Sequence, residues 1–152
     1  DENKSLSMIN YQCCIDNPKK FKCYAPANWG LTASYSTNGY MAHAPNKEND
    51  IGVITPTAAL SSFPYTPTQS MAAMKHWYSN MSDKTWGPYG FYDAFSEQEN
   101  WFPKRYLAID QGPIVVMMEN HCGGLLWNLF MSCDEIQTGL KKLGFESPWL
   151  KK

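Results

Sequence analysis

The 152-residue sequence has little of what would place it in several common classes of protein. It contains no apolar run close to the roughly 18 residues that a transmembrane helix requires, so no membrane span is expected. Its charge is balanced, with 13 Lys and Arg against 14 Asp and Glu. Because it has neither a basic face nor a polybasic segment, we expect it to bind neither nucleic acid nor an anionic membrane surface.

Cysteines are few and scattered along the chain. None of the five belongs to a CxxC pair or to a Cys/His spacing of the kind that binds zinc, so we expect neither a metal nor another cofactor. An odd, scattered set favours buried free thiols, with a single disulfide as the less favoured alternative. The five are Cys13, Cys14, Cys23, Cys122 and Cys133.

The alternation of a β-strand is also almost absent, and the periodic segments are helical, which predicts an all-α fold. A first helix is expected over residues 6–15, ending before Asn17-Pro18. A short second helix is expected from Thr55-Pro56, with Thr55 as its N-cap, to the neighbourhood of Phe63-Pro64.

A third helix is predicted to begin at Thr66, because Thr66 and Gln69 have the spacing of a capping box. The face opposite its apolar stripe, with Lys75 and Ser79, is expected to meet solvent. The apolar stripe of this helix consists of Met71, Met74, Tyr78 and Met81.

A later segment is apolar on every side. It follows Gly112-Pro113 and covers residues 114–118, which predicts a helix buried on all faces. Gly123-Gly124 interrupts it, and residues 125–131 continue as another apolar turn or two. A last helix is expected from a cap at Ser132 to Gly144. Since an inner helix needs several helices around it and few are predicted, we interpret the chain as a piece of a helical barrel.

Aromatic residues are abundant, at 14% of the chain, and many lie in irregular stretches rich in Gly and Pro. A hydrophobic core explains aromatics at helical spacing better than it explains aromatics in such loops. Flat rings in loops suit stacking on sugar rings, although they equally serve to anchor a loop. The candidate substrate-binding residues of this kind are Trp29, Trp86, Tyr89, Phe95 and Trp101.

Three carboxylic acids stand out from the plainly solvated ones. Asp93 lies among aromatic residues and close to Gly90, where desolvation would raise its pKa as a general acid requires. Asp110 precedes the predicted buried helix, whose N-terminus favours an ionised carboxylate, so it suits a base or an acceptor of sugar hydroxyls. Glu119 lies on the apolar helix, where a carboxylate must be paired or protonated.

These three acids are the candidate catalytic residues, and Gln111 is a candidate to hydrogen-bond a sugar hydroxyl. Glycoside hydrolysis needs two carboxyl groups across a cleft, one acid and one base or nucleophile. Each acid also has a structural alternative: a bond to loop amides for Asp93, a helix cap for Asp110 and a buried ion pair for Glu119.

Several long strings resemble the putative glucoamylase family, which includes the β-1,2-glucan-degrading enzymes of glycoside hydrolase family 144. The resemblance covers residues 8–144. The strings are WGLTAS at 29–34, GY at 39–40, ITPTAALSSFPY at 54–65, WGPYGFYDA at 86–94, YLAIDQGP at 106–113 and GLLW at 124–127.

The resemblance implies an (α/α)6 barrel whose central cleft binds a β-glucan, with residues 1–152 forming roughly the C-terminal half of one catalytic domain. It implies hydrolysis of β-1,2-glucan or sophoro-oligosaccharides with inversion, by two carboxyl groups. Family carboxylates proposed for catalysis lie at least partly in the N-terminal half, which is therefore an expected partner. Such proteins are typically exported, and the sequence begins without Met or a signal peptide, so a periplasmic or secreted location is expected.

One departure from the family lies at Tyr35-Ser36-Thr37-Asn38, where an acidic, glycine-containing turn is common, so a sugar contact at that turn is not carried over. Two further hypotheses remain open. One is a carbohydrate-binding protein that keeps the cleft without hydrolysis, and the other is a helical interaction or structural domain. As part of a barrel, the chain alone is expected to be unstable or to associate through apolar helix faces.

Overall fold

The computed structural model describes residues 2–150 and is mainly helical. Two small antiparallel hairpins depart from the predicted all-α class: β1 (Ser34–Ser36) pairs with β2 (Gly39–Met41), and β3 (Trp86–Gly87) pairs with β4 (Gly90–Phe91). Both lie in stretches predicted to be irregular. The helices are α1 (Glu2–Asp16), α2 (Pro56–Leu60), α3 (Pro67–Thr85), α4 (Ala108–Cys122), α5 (Leu125–Ser132) and α6 (Asp134–Lys142).

The chain divides into two compact units, one reaching to Met118 and the other beginning at Glu119. The core of the first unit is built around Trp29 and Trp77, both fully buried. Each indole has a partner: Trp29 Nε1 donates to the Gln69 carbonyl at 3.3 Å and Trp77 Nε1 to Asn28 Oδ1 at 2.7 Å. The polar edges of two large rings are thus satisfied inside an apolar core, as buried Trp requires.

The buried face of α3 is rotated from the predicted stripe. It runs through Ser70, Ala73 and Trp77, while Tyr78 is 55% exposed. The predicted members Met74 and Met81 do pack against the core, and Lys75 and Ser79 are exposed as expected. The rotation follows from Trp77, whose large ring buries more apolar surface than Tyr78 would in the same position.

The predicted capping bonds are not formed. Thr55 and Thr66 occupy the N-cap positions of α2 and α3, but neither side chain caps its helix. Thr66 Oγ1 instead donates to the Ser62 carbonyl at 3.1 Å, which ties α3 to the preceding turn. At α6 the N-cap position is Cys133, and Ser132 closes α5 through a 2.7 Å bond to the Leu129 carbonyl.

The long connections are held by specific contacts. Ile54 and Phe95 form an isolated antiparallel bridge with backbone bonds of 2.8 and 2.9 Å, joining two distant loops. Lys19 Nζ donates to the carbonyls of Lys47 and Asp50, each at 2.6 Å. These contacts explain how a connection that looks irregular in sequence forms an ordered structure.

The prediction that the apolar helix is buried on all sides is wrong for the described chain. Helix α4 begins at Ala108 and has Pro113 inside its first turns, and Ile114 and Met118 pack against the core. On its other faces Val115 is 70% exposed. An apolar face is buried only where another element covers it, and no element of residues 2–150 covers this one.

The cysteines agree with the prediction of free thiols. All five are free, and two of them, Cys14 and Cys23, are buried in the core. Burial raises the pKa of each of these thiols to about 12, so both stay protonated near neutral pH. Cys122 and Cys133 are exposed, which differs from the expectation of burial.

Candidate functional site

Asp93 and Asp110 are brought together in the first unit. Asp93 follows β4 and is 1% exposed, whereas Asp110 lies in the first turn of α4 and is 7% exposed. Their carboxyl groups are within hydrogen-bonding reach of each other. The two predicted catalytic acids therefore form one carboxyl pair.

Asp93 is held in place by two hydrogen bonds to backbone groups. Its Oδ2 accepts a 3.0 Å hydrogen bond from the backbone N–H of Tyr35 in β1. Its own backbone N–H donates to the Arg105 carbonyl at 2.9 Å, which fixes the loop after β4.

Asp110 has the raised pKa of the pair. Burial is the first cause, and the adjacent Asp93 carboxyl adds to it through a hydrogen bond and charge repulsion, raising the pKa of Asp110 to about 7. The expectation that Asp110 is a readily ionised group is therefore wrong. Burial and a second carboxylate outweigh the stabilisation that the N-terminus of α4 offers.

A shared proton explains two otherwise unpaired oxygens. No donor among residues 2–150 reaches Asp93 Oδ1 or Asp110 Oδ2, although both atoms are buried. Two adjacent buried carboxylates are costly to charge at once, which favours a proton on Asp110 below its pKa of about 7. The protonated Asp110 carboxyl then serves as the donor that the pair lacks.

Asp110 lines an open groove of about 350 Å³, named here the Asp110 groove. This volume is at the lower end of the range of roughly 300–1,000 Å³ found for small-molecule sites. Thr57 in α2 positions α4 beside it, since Thr57 Oγ1 donates to the Asp110 carbonyl at 2.7 Å. The lining residues are Thr32, Ala33, Tyr40, Thr57, Ala58, Ser61, Ser62, Ile109, Asp110 and Pro113.

Two of the predicted sugar-stacking aromatics are wrong. Trp29 is completely buried and Phe95 is 2% exposed, both in the hydrophobic core. Phe95 packs edge-on against Trp77 with ring centroids 6.1 Å apart. A ring with both faces covered cannot stack on a sugar, so these residues are loop anchors, the alternative weighed for all the loop aromatics.

The other three aromatics keep accessible surface. Trp86 is 42% exposed, Tyr89 is 79% exposed and Trp101 is half-buried. Trp86 and Tyr89 lie on the β3–β4 hairpin, whose Gly87 has no space for a side chain because the hydroxyls of Tyr92 and Tyr106 lie against it. Their role in substrate binding stays a prediction.

Gln111 and Glu119 occupy different surroundings. Gln111 Nε2 donates to the Phe91 carbonyl at 2.9 Å, so its amide joins α4 to β4. Glu119 is only half-buried and belongs to the second unit, where its carboxylate lies beside Gly123. The expectation of a fully buried Glu119 is wrong, and its catalytic role stays a prediction.

Sequence reasoning missed Tyr40, which lines the Asp110 groove from β2. The signal was present in Asn38-Gly39, a dipeptide typical of a tight hairpin, with Gly39 at a φ of 95°. Read as a hairpin, residues 34–41 place Tyr35 and Tyr40 opposite each other, as the register confirms.

Groups of three or more His, Cys, Asp or Glu side chains able to hold a metal ion are absent from residues 2–150. Within the same residues, no helix combines the length and the apolar character needed to cross a bilayer.

Fold and site together define a mainly helical protein whose loops and helix ends bring a carboxyl pair to an open, hydroxyl-rich groove. The family model described as putative glucoamylase matches residues 1–134. The chain belongs to this family, as the sequence resemblance indicated.

Three relatives illustrate the similarity. The endo-β-1,2-glucanase of Chitinophaga pinensis, solved as a sophorotriose and glucose complex, is 67% identical, with a TM-score of 0.93 over 95% of this chain. A putative glucoamylase structure from Bacteroides uniformis is 57% identical, with a TM-score of 0.94 over 97% of this chain. An exo β-1,2-glucooligosaccharide sophorohydrolase (non-reducing end) of Parabacteroides distasonis is 42% identical over 143 residues, 94% of this chain.

The chain spans only part of these relatives. It covers 34% of the Chitinophaga chain, 35% of the Bacteroides chain and 20% of the Parabacteroides protein.

Proposed function

We propose that this chain is part of the catalytic domain of a glycoside hydrolase that acts on β-1,2-glucan or sophoro-oligosaccharides. The observation that carries the proposal is the Asp93–Asp110 carboxyl pair at a hydroxyl-lined groove. Family membership and 67% identity to an endo-β-1,2-glucanase support the substrate class.

Asp110 is the general base in this proposal. It lines the groove, and a pKa of about 7 makes it a stronger proton acceptor than an ordinary carboxylate while leaving about half of it ionised near pH 7 and more at higher pH. The ionised carboxylate takes a proton from the water that attacks the anomeric carbon. Asp93 is a positioning residue whose negative charge raises the basicity of Asp110.

The general acid is a third carboxyl group. In an inverting enzyme the acid and the base are roughly 6.5–9.5 Å apart, because a water and the sugar lie between them. Two carboxyls that hydrogen-bond to each other are too close to act as that pair, so Asp93 is not the acid that protonates the leaving oxygen. A carboxyl in the part of the domain beyond this chain takes that role.

The (α/α)6 barrel is the architecture that we propose for the whole domain. Exposed apolar surface on α4, such as Val115, and on α5, such as Leu129 at 56%, supports it. Contiguous apolar helix faces are stable when other helices cover them. The N-terminal part of the domain is the proposed partner, and residues 1–152 are its C-terminal portion. A periplasmic or secreted location, as the family resemblance implies, remains part of the proposal.

The experiment is hydrolysis of β-1,2-glucan by the intact protein and its Asp110→Asn variant. Loss of a general base predicts a fall in kcat of about 10²–10⁴-fold, with substrate affinity retained. A wild-type rate that the substitution leaves unchanged would contradict the proposal. Sugar binding by calorimetry without any turnover would favour a carbohydrate-binding protein instead.

The pH dependence separates the roles of the two acids. Wild-type kcat/KM is expected to rise with pH through about 7, as Asp110 loses its proton. Asp93→Asn removes the neighbouring negative charge, so the pKa of Asp110 falls. The rise of kcat/KM, which is the acidic limb of the pH profile, then moves to lower pH. An unchanged limb in Asp93→Asn would show that the rate does not report the carboxyl pair.

A further inference from the structure

The β1–β2 hairpin connects the open groove to the buried carboxyl pair. Tyr35 and Tyr40 are cross-strand partners, and their rings meet edge to face with centroids 5.8 Å apart. Such pairing of aromatic residues stabilises a hairpin that has only three residues in each strand. The two tyrosines therefore form one unit rather than two independent side chains.

At the outer end of this unit, Tyr40 lines the Asp110 groove and is 52% exposed. Most other lining residues are small hydroxyl or methyl side chains, so Tyr40 offers the groove its one large aromatic surface. An aromatic face beside hydroxyl groups suits a sugar ring, whose C–H face is apolar and whose edge carries hydroxyls. The hydroxyls of Ser61 and Ser62 on the α2 side supply that polar complement.

At the inner end, Tyr35 is fixed by two independent contacts. The guanidinium of Arg105 lies over its ring, with Cζ 4.9 Å from the centroid. Its backbone N–H donates to Asp93 Oδ2 at 3.0 Å. Arg105 also accepts the Asp93 backbone N–H through its carbonyl, so one residue holds both the hairpin and the loop of Asp93.

On the basis of the proposed function, we propose that Tyr40 is a substrate-contacting residue that stacks on a sugar ring beside Asp110. We further propose that Tyr35 is a positioning residue, held by Arg105, that links this platform to Asp93. The hairpin thereby sets two properties of the site: where the sugar lies and how firmly Asp93 keeps its amide donor. The sugar that stacks on Tyr40 in this proposal is a pyranose unit of a β-linked glucan.

The first test compares three variants of the intact protein with sophorotriose as the probe. Tyr40→Ala is expected to weaken binding about tenfold by calorimetry and to raise KM with little change in kcat, because stacking acts on ground and transition states alike. Tyr40→Phe keeps the ring and is expected to bind as the wild type does. Thr37→Ala, at the exposed tip of the same hairpin and outside the groove, is the matched control.

Two results would overturn the stacking role. One is a Tyr40→Ala affinity within about twofold of the wild type, and the other is an equal loss in Thr37→Ala, which would mean that only hairpin stability matters. Calorimetry measures binding of the sugar whether or not the protein hydrolyses it. If the wild type binds sophorotriose in a Tyr40-dependent way but does not hydrolyse it, the proposed enzymatic function fails and this inference stands.

The second test concerns positioning. Arg105→Ala removes the cation over Tyr35 and is expected to move the pH limb of kcat/KM, because Asp93 loses its firm amide donor and its interaction with Asp110 changes. Arg105→Lys, which keeps a cation, is expected to restore the limb in part. A purely structural role would lower kcat without moving the limb, and that outcome would overturn the link between the hairpin and Asp93.

Discussion

The two units of the chain use the same kinds of apolar side chain in opposite ways. In the first, Trp77 is fully buried and hydrogen-bonded to Asn28. In the second, Trp149 is 71% exposed and Phe145 is 59% exposed. The difference lies in the neighbours, because the first unit brings loops and helices from several parts of the sequence around its rings. Hydrophobicity alone does not decide burial; a covering element does.

The largest contrast is expected between two tryptophan substitutions in the 152-residue chain. Trp77→Ala opens a cavity in the first core and leaves the Asn28 side chain without its donor, so it should lower the free energy of unfolding by about 3–5 kcal/mol. Trp149→Ala, at an exposed position, should change it by less than about 1 kcal/mol. Urea denaturation followed by circular dichroism measures both. Similar losses would contradict the difference in burial.

A pair of glycines gives the next contrast. A Cβ at Gly87 would collide with the hydroxyls of Tyr92 and Tyr106, whereas a Cβ at Gly139 in α6 meets no atom within 4 Å. Gly87→Ala is therefore expected to cost about 1–3 kcal/mol through overpacking. Gly139→Ala should stabilise the chain by about 0.4–1 kcal/mol, because alanine is the better helix former. Equal effects on chemical denaturation would show that tight packing at Gly87 does not restrain the hairpin.

The carboxyl pair makes the stability of the first unit depend on pH, and Asp110→Asn should reduce this dependence. The pKa of Asp110 rises from 3.8 to about 7 on folding, so its contribution favours the folded state most below pH 3.8 and is lost as the pH rises through 7. The amide that replaces this carboxyl cannot ionise, so the variant should lose less of its Tm between about pH 5 and pH 8.5 than the wild type, by a few degrees. Burial lowers the pKa of His43, but this residue is present in both proteins, so its contribution to the difference in Tm cancels. Parallel Tm curves would contradict the raised pKa.

The smallest effect is expected on association. The exposed apolar residues of α5 should cause the 152-residue chain to self-associate, and replacing Leu129 and Phe130 by Ser should shift it toward monomer in analytical ultracentrifugation. The matched control is Leu6→Ser with Ile9→Ser on α1, which are exposed to a similar extent at 58% and 56%. A chain that is already monomeric would show that these faces need no covering partner.

The sequence predicted the elements well where a local signal was strong. Pro56 and Pro67 mark the starts of α2 and α3, and the first helix was found with its end near Asn17. Hairpin β1–β2 was missed despite the Asn38-Gly39 signal, because strands of three residues show too little alternation to detect. The stripe of α3 was misplaced because helical spacing alone gives Trp77 and Tyr78 adjacent faces and does not say which meets the core.

For the site, the sequence singled out two acids that the structure brings together, but it did not predict that they form a pair. Aromatic neighbours and a helix entry made Asp93 and Asp110 stand out, but nothing in the local pattern shows that the two carboxyls touch. The Tyr35 amide that donates a hydrogen bond to Asp93 comes from 58 residues away. Trp29 and Phe95 were misread for the same reason, since their burial depends on α3.

What the sequence by itself determined is the mainly helical class and the family, because both rest on residues close together in the chain. What only the tertiary structure decided is which carboxyl groups lie together and which rings stay exposed. Both depend on contacts between distant segments, where desolvation and a neighbouring charge shift a pKa more than any local sequence feature does.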